Sequence, residues 1–543
     1  MRIFPWTRSV HVVCMLVVMC ITGCAEFRQW KDNGYKVGPD YFRPAAPVAG
    51  EWIDFNDPAV ISENHSVNDA AWWESLNDPV LNRLVNQAHQ QNLSLRAAGM
   101  RVLEAQAQRT IAAGLLYPQT QQGFAGFNHV QLGTVGNAAG IGVIPFRTFD
   151  LWSSGFNVGW EMDVWGKFRR NLESADANLD ASIENHDDVL VCLIAETAAA
   201  YVEMRAFQKR LEYASENVAI QQASLKIAES LFRNGDDSEL GVTQAKSNLA
   251  QTQALIPVLK KGLRLANNRL CVLLGAPPRD LSPEMGEAPI PVAPAQLVVG
   301  IPAELIRRRP DVRREERRVA EQSARIGVAT ADLFPAFTIN GSINWQANDL
   351  SDMFSSAANA GFINPAFNWN LLNYGRIRNG IAAEEAVFQE LAIQYQDTVL
   401  NANAEVEDGI TCFLNAHKQF TSLKEGVQAS KRSVEIGNDQ FREGEADLFR
   451  VLYLQTILVQ QQDQLASAEA EIALSLIRTY KALGGGWQIR FGQGVAADVA
   501  DVADVRERPA VAQPEVQVSD DAEKDESPEI KTEDLPAPAK IDE

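Results

Sequence analysis

Two groups of acids are the residues best placed to do chemistry: Asp236, Asp237 and Glu239, then Glu443, Glu445 and Asp447. Each group flanks a glycine, Gly235 or Gly444, that interrupts a long helical pattern. At the tip of a helical hairpin such acids cap the next helix and meet the positive end of its dipole. Repeated around an oligomer, they would instead form a charged ring at a pore mouth, of the kind that selects cations.

Other reactive residues carry less. His11, His65, His89, His129, His186 and His417 are scattered without metal-ligand spacing, so no metal site is expected. Cys192, Cys271 and Cys412 stand alone in helical stretches and are expected to be buried small apolar residues. The sequence contains no H-E-x-x-H, no G-x-x-x-x-G-K-[ST] and no G-x-S-x-G. No catalytic residue, cofactor or enzymatic activity is expected. Arg307-Arg308-Arg309-Pro310 and Arg313-Arg314-Glu315-Glu316-Arg317-Arg318 interleave opposite charges in a helical setting, which predicts a solvated face.

Cys24 is different. Arg2 and Arg8 precede an apolar run from Val12 to Ile21, too short to cross a bilayer as a helix, and it ends Ile21-Thr22-Gly23-Cys24. That ending resembles the bacterial lipobox, in which a diacylglyceryl group joins the cysteine sulfur before cleavage. Residues 1–23 are then a signal peptide and Cys24 the acylated first residue. Ala25 in place of an aspartate resembles the pattern of lipoproteins sorted to the outer membrane.

The elements that must position the two acid groups are copies of one another. A shift of 209 residues carries Leu211–Gly275 onto Phe420–Gly484, matching Phe232-Arg233-x-Gly235 with Phe441-Arg442-x-Gly444 and Leu274-Gly275 with Leu483-Gly484. It also matches Trp165-Gly166-Lys167-x-Arg169 with Tyr374-Gly375-Arg376-x-Arg378. Further upstream the shift becomes 217, pairing Leu95-Arg96 with Val312-Arg313 and Tyr117-Pro118 with Phe334-Pro335. The chain is thus an internal duplication.

Each copy changes period along its length. Phe156, Val158, Trp160, Met162 and Val164 alternate with Asn157, Gly159, Glu161 and Asp163, which predicts a strand with one oily and one wet face. Phe337, Ile339, Ile343 and Trp345 repeat the pattern; a return strand carries Phe367, Trp369 and Leu371, and Gln121–Val130 is the expected fourth strand. An oily outside over a polar inside suits a transmembrane barrel rather than a soluble sandwich. Four strands cannot close a barrel, so several chains must share one.

Helical texture then runs from near Gly166 to Arg233 and from near Gly375 to Arg442, each about 100 Å long. Leu211, Ala214, Val218, Leu225, Ala228 and Phe232 form a coiled-coil seam, repeated by Phe420, Leu423, Val427, Val434, Gly437 and Phe441. A return helix runs from each break to Leu274 or Leu483. With Asp78–Tyr117 and Ala303–Phe334, one short helix of each kind stacked end to end would match one long helix.

The expected organisation is a signal (1–23), an extended leader (24–77), a first repeat (78–280, hairpin near 119–165), a linker (281–302) and a second repeat (303–487, hairpin near 336–373). Residues 488–543 form an acidic tail. Net charge is −21, but Asp498–Glu543 holds fifteen acidic and five basic residues, so the body is only mildly acidic. Nucleic acid is excluded as a partner, because no basic face offsets phosphate charge. The tail is too polar to bury a core and is expected to be disordered.

Ile21-Thr22-Gly23-Cys24, Gly38-Pro39-Asp40-Tyr41-x-Arg43-Pro44, Arg309-Pro310-Asp311-Val312-Arg313, Phe441-Arg442-x-Gly444 and Ala482-Leu483-Gly484-Gly485-Gly486-Trp487 together resemble the outer membrane factor (TolC-like) family. The resemblance is to its lipoprotein branch, the outer membrane channels of tripartite efflux pumps, and covers roughly Cys24–Trp487. It implies a mixed α and β membrane protein: a homotrimer with one 12-stranded transmembrane β-barrel, four strands per chain, continued by an α-helical coiled-coil barrel across the periplasm.

It further implies that tips around Arg233, Gly235, Arg442 and Gly444 dock a periplasmic membrane-fusion adaptor linked to an inner-membrane pump, most simply of the RND type. The chain would be a lipid-anchored, passive exit duct for small toxic compounds. In this family Leu-Asp-Ala-Gln usually follows the second tip; here Leu452-Tyr453-Leu454-Gln455 stands there. The gate is therefore expected at Phe449 and Tyr453, supplemented by Asp447, Asp237 and Glu239. The rival readings are an exit duct of a type I protein secretion system, a non-transporting coiled-coil envelope lipoprotein and, more distantly, an enzyme on a β-sandwich.

Overall fold

Gly166 and Gly375, both at φ +82°, open the two long helices. The left-handed conformation lets the chain leave a strand and enter a helix within a few residues, at no Cβ cost. In the computed structural model the described residues are 28, 30–61, 69–131, 148–235, 238–302 and 308–491. The expected signal peptide, Cys24, Asp236, Asp237, the long first hairpin loop and nearly all of the acidic tail lie outside them. The chain divides into two units, Met1–Arg490 and Phe491–Glu543, and both copies of the duplication lie in the first.

The longer helices among the described residues are α1 (Pro79–Gln91), α2 (Leu93–Gly114), α3 (Lys167–Asn234), α4 (Glu239–Leu273), α5 (Pro310–Ala331), α6 (Arg376–Arg442) and α7 (Leu448–Ala482). The strands are β1 (Val60–Ile61), β2 (Thr120–Gln131), β3 (Thr148–Met162), β4 (Leu297–Val298), β5 (Ala336–Ala347) and β6 (Asn359–Asn368). At 68 and 67 residues, α3 and α6 each span about 100 Å.

The helices form columns. Short α2 and α4 pack along α3; short α5 and α7 pack between α3 and α6. Each column of short helices thus matches one long helix in height. The main core lies midway along α3 and α6, where the short helices meet, and gathers Leu190, Ile194, Tyr201, Ile410, Phe413 and Leu476. Trp72 stacks on Tyr480 there at 5.6 Å between ring centroids.

Strands β2, β3, β5 and β6 form one antiparallel sheet in that order. Its register places Phe156 beside Ile343, Val158 beside Gly341 and Ile363 beside Gly341 on one face. The other face carries Asn157 beside Ser342 and Gly159 beside Asn340, with Asn340 in turn beside Asn364. Because side chains alternate, this register gathers the oily residues on one side and the wet residues on the other. β2 and β6 are the sheet's two edges.

Several expectations change. Asp78–Tyr117 is two helices, because Asn92 leaves the helical region (φ −61°, ψ 129°), and its side chain caps α2 by accepting from the Leu95 N–H. The last return strand ends at Asn368; Trp369 lies beyond it, and its indole donates to the Leu333 carbonyl at 2.9 Å. The stretch read as an extended leader contains a 3-10 helix, Asp69–Leu76, and β1, which pairs with β4 inside the stretch read as a linker. Cys271 is buried, but Cys412 is exposed on α6.

Candidate functional site

The two tips form one structure. Ala228 of α3, Val242 and Ala245 of α4, and Leu448 and Leu452 of α7 make a small apolar cluster, with Phe441 of α6 against it. Gly235 (φ +81°) and Gly444 (φ +77°) close the turns, and a Cβ at either would meet open space. The glycines serve backbone conformation there, not packing. Arg233 is exposed, its Nε donating to the Glu229 carbonyl at 3.1 Å, and exposed Arg442 lies 3.6 Å from Asp439. Both guanidinium groups stay at the outer end of their helices.

Of the expected gate residues, Asp447 caps α7: its Oδ1 accepts the Arg450 N–H at 2.9 Å. Glu239 is exposed in the first turn of α4. Phe449 and Tyr453, four residues apart on α7, are each 59% exposed. Leu448, Val451, Leu452 and Gln455 bury the opposite side of the same turns. Two aromatic rings therefore project from a helix face that nothing among the described residues covers.

Behind the tips runs a polar seam between α3 and α7. Arg210 Nε and Nη2 donate to the two oxygens of Asp463 at 2.7 and 2.9 Å. Asn217 Nδ2 donates to Gln462 Oε1 at 2.6 Å, and Gln455 Nε2 to Ser224 Oγ at 2.9 Å. Between them Gln221 is buried with neither amide atom hydrogen-bonded. Sequence reading missed this seam, since polar helical residues read as solvated until a neighbouring helix supplies partners; the one signal was their position inside a coiled-coil pattern.

The arginine-rich stretch is also not a solvated face. Arg309 is buried, bound to Asp311 and Glu405 and donating to the Ala482 carbonyl, and these acids raise its pKa against the opposing effect of burial. Arg314 reaches Asp188 at 2.6 Å, and Arg313 bonds Glu184. Arg309, Arg313 and Arg314 thus find partners on α3 and α6, while Arg318 stays exposed and pairs with Glu315 on its own helix. Asp187 is fully buried and paired with Arg490 at 2.9 Å, and burial pushes the neighbouring Glu184 carboxyl up to about 7.

Tyr201 donates to Asp78 Oδ2 at 2.6 Å and accepts from Arg205, whose guanidinium holds the carbonyls of Met285 and Gly286. This relay fastens α1 and the chain after α4 to the middle of α3. Among the described residues no group of side chains could hold a metal ion. No helix among them is long and apolar enough to cross a membrane.

The profile described as "Outer membrane efflux protein" matches residues 84–276 and 301–485, one stretch in each copy of the duplication. The chain belongs to that family. Among members, it is 30% identical over 446 residues to the pyoverdine export outer membrane protein OpmQ of Pseudomonas putida, covering 82% of this chain and 93% of that one. It is 26% identical over 487 residues to the toluene efflux pump outer membrane protein TtgF of the same species, covering 88% and 97%. The solved outer-membrane channel OprN shares 32% identity and a TM-score of 0.77 over 83% of this chain and 99% of that one. As an outer membrane efflux protein, this chain is an outer membrane channel component with the TolC-like fold of strands and long helices.

Proposed function

We propose that three copies of this chain form a gated, passive exit duct for small toxic compounds. The observation that carries the reading is the sheet: four antiparallel strands of 10 to 15 residues, one face oily and the other wet, with both edges open. Strands of about ten residues suffice to span a bilayer when tilted. Open edges cost unpaired backbone groups, which three copies joined β2 to β6 would satisfy in a closed 12-stranded barrel.

The tips at Arg233, Gly235, Arg442 and Gly444 dock a periplasmic membrane-fusion adaptor, which couples the duct to an energised inner-membrane pump of the RND type. The uncovered rings of Phe449 and Tyr453 form the constriction, with Asp447, Asp237 and Glu239 around it. Cys24 carries the lipid that ties the chain to the outer membrane. Metabolic labelling with palmitate tests this last point, with Cys24→Ser expected to abolish incorporation.

The decisive experiment is single-channel recording of the purified protein in planar bilayers, with its mass in detergent measured on the same sample. A trimer with small, rarely opening conductance is expected. A non-conducting monomer would return the chain to a structural role in the envelope.

A further inference from the structure

Tyr453 is aimed by its neighbours on either side. An α-helix turns about 100° per residue, so Leu452 and Leu454 stand about 100° to the two sides of Tyr453 on α7. Leu452 is buried and Leu454 half-buried, each against a different helix. The direction left between them is that of Tyr453, shared by Phe449 one turn earlier.

The two seats are built differently, and the duplication shows how. Leu452 lies in the cluster formed by Ala228 on α3 with Val242 and Ala245 on α4. Leu454 packs beside Val427, Val434 and Leu458, where α7 meets α6. Its seat is Gly437: a Cβ added there would lie 2.8 Å from Leu454 Cδ1, closer than two carbons can pack. The shift of 209 residues lays Gly437 on Ala228 and Leu454 on Ala245. The first copy thus carries two buried alanines at this joint, and Leu448 and Leu452 of α7 complete the cluster around them. The second copy has emptied one position of the pair and enlarged the other.

Glycine weakens a helix interior relative to alanine. Gly437 is buried near the end of α6, where no positive φ calls for glycine. What it provides there is room for a leucine methyl. Rolling α7 in either direction must lift Leu452 or Leu454 out of its seat, so the two seats together resist rotation of the helix.

We infer that Gly437 is a positioning residue for the constriction: it receives Leu454, and this joint, with the Leu452 seat opposite, fixes the rotation of α7 that turns Phe449 and Tyr453 outward. The inference rests on the aromatic constriction proposed above and adds what aims it.

Reversing knob and hole in the full-length protein tests the joint. Gly437→Val fills the hole, and Leu454→Ala added to it shortens the knob, so the pair keeps its number of side-chain carbons with the larger partner moved to α6. Orientation is read from the maleimide reactivity of a Tyr453→Cys thiol in a Cys412→Ser background, with the Cys412→Ser protein as blank. Expelling Leu454 from its seat rolls residue 453 towards α3 and α4. Gly437→Val should therefore slow the thiol by roughly two- to tenfold, the size of coupling between residues in contact. Adding Leu454→Ala should return it to the parent rate. An unchanged rate in Gly437→Val, or a slow thiol that Leu454→Ala does not restore, would overturn the inference.

Conductance separates this joint from the constriction itself. With Phe449 and Tyr453 in place, Gly437→Val should raise closed-state conductance in planar bilayers, and the double variant should lower it again. A thiol rate that shifts and is restored while conductance stays level would keep Gly437 as the residue that aims the rings and overturn the aromatic constriction.

Discussion

The Arg210 guanidinium grips both oxygens of Asp463, at 2.7 and 2.9 Å, and so ties the long helix of the first copy to the return helix of the second. Two parallel N–H···O bonds fix orientation as well as distance. The pair stands at the upper end of the polar seam and sets where α7 sits on α3 above the tips. Asp463→Ala is expected to lower stability by about 1 kcal/mol, a modest figure because both side chains are partly exposed. Single-channel records of the variant should show more frequent openings; unchanged opening statistics would place the restraint elsewhere.

Phe449 and Tyr453 should set the leak. The double change Phe449→Ala and Tyr453→Ala removes two large rings from the uncovered face of α7 without touching the buried Leu448, Val451 and Leu452 on its other side. Closed-state conductance in planar bilayers should rise, with the thermal midpoint unchanged. An unaltered closed-state conductance would show that the constriction is not aromatic.

Glu184 gives the fold a pH dependence of definite sign. Its carboxyl is raised from an ordinary value of 4.5 to about 7, chiefly by burial, with the nearby Asp187 adding to the effect and Arg313 opposing it. The folded state holds this proton more tightly than the unfolded chain does. Its contribution is complete below about 4.5 and is lost as pH rises through about 7. Glu184→Gln keeps an acceptor for Arg313 and removes the charge, so it should stabilise the protein by about 1–3 kcal/mol at pH 8 and have little effect at pH 4. Thermal denaturation across that range checks it, and a difference independent of pH would contradict the assignment.

Gly38 should tolerate no side chain. It sits at φ +83°, and an added Cβ would lie 2.5 Å from the Gly327 Cα of α5, a contact with backbone that cannot move aside. The neighbouring carbonyls of Val37 and Gly38 accept from the buried Arg170 guanidinium. Gly38→Ala is expected to lift this segment off α3 and α5 at a cost of about 2–3 kcal/mol. Limited proteolysis should then cleave near residues 34–44 in the variant and spare the wild type.

The duplication made the large elements legible. Gly166 and Gly235 bound α3, and Gly375 and Gly444 bound α6, to within a residue or two, while α4 and α7 begin four residues past Gly235 and Gly444 and end one residue before Leu274 and Leu483. The alternation of Phe156 to Val164 likewise located β3. What stayed hidden depends on partners distant in sequence. Asn92 breaks a helix because its side chain donates to the Leu273 carbonyl and caps α2 at once, and nothing in Asn-Leu-Ser-Leu announces the first of these. Arg309, Arg313 and Arg314 looked solvated because Glu405, Glu184 and Asp188 lie on other helices. At the tips Asp447 caps α7, one of the two readings that the sequence left open for these acids, but no local feature distinguished Gln221 or Asn217 from ordinary surface residues.

The unequal depth of the core along the long helices has a mechanical meaning. Midway along α3 and α6 dozens of apolar side chains, several of them aromatic, interlock; towards the tips the described apolar clusters shrink to a few residues each, Ala228, Val242, Ala245, Leu448 and Leu452 in one and Val427, Val434, Leu458 and Leu465 in the other, beside a file of amides and hydroxyls. Local opening costs least where buried apolar contact is thinnest. The ends of the hairpins can therefore part while the middle stays folded, as the jaws of a clothes-peg move about a fixed spring. Amide exchange should be fast near Gly235 and Gly444 and slow around Tyr201 and Phe413, with no need for a dedicated hinge residue between them.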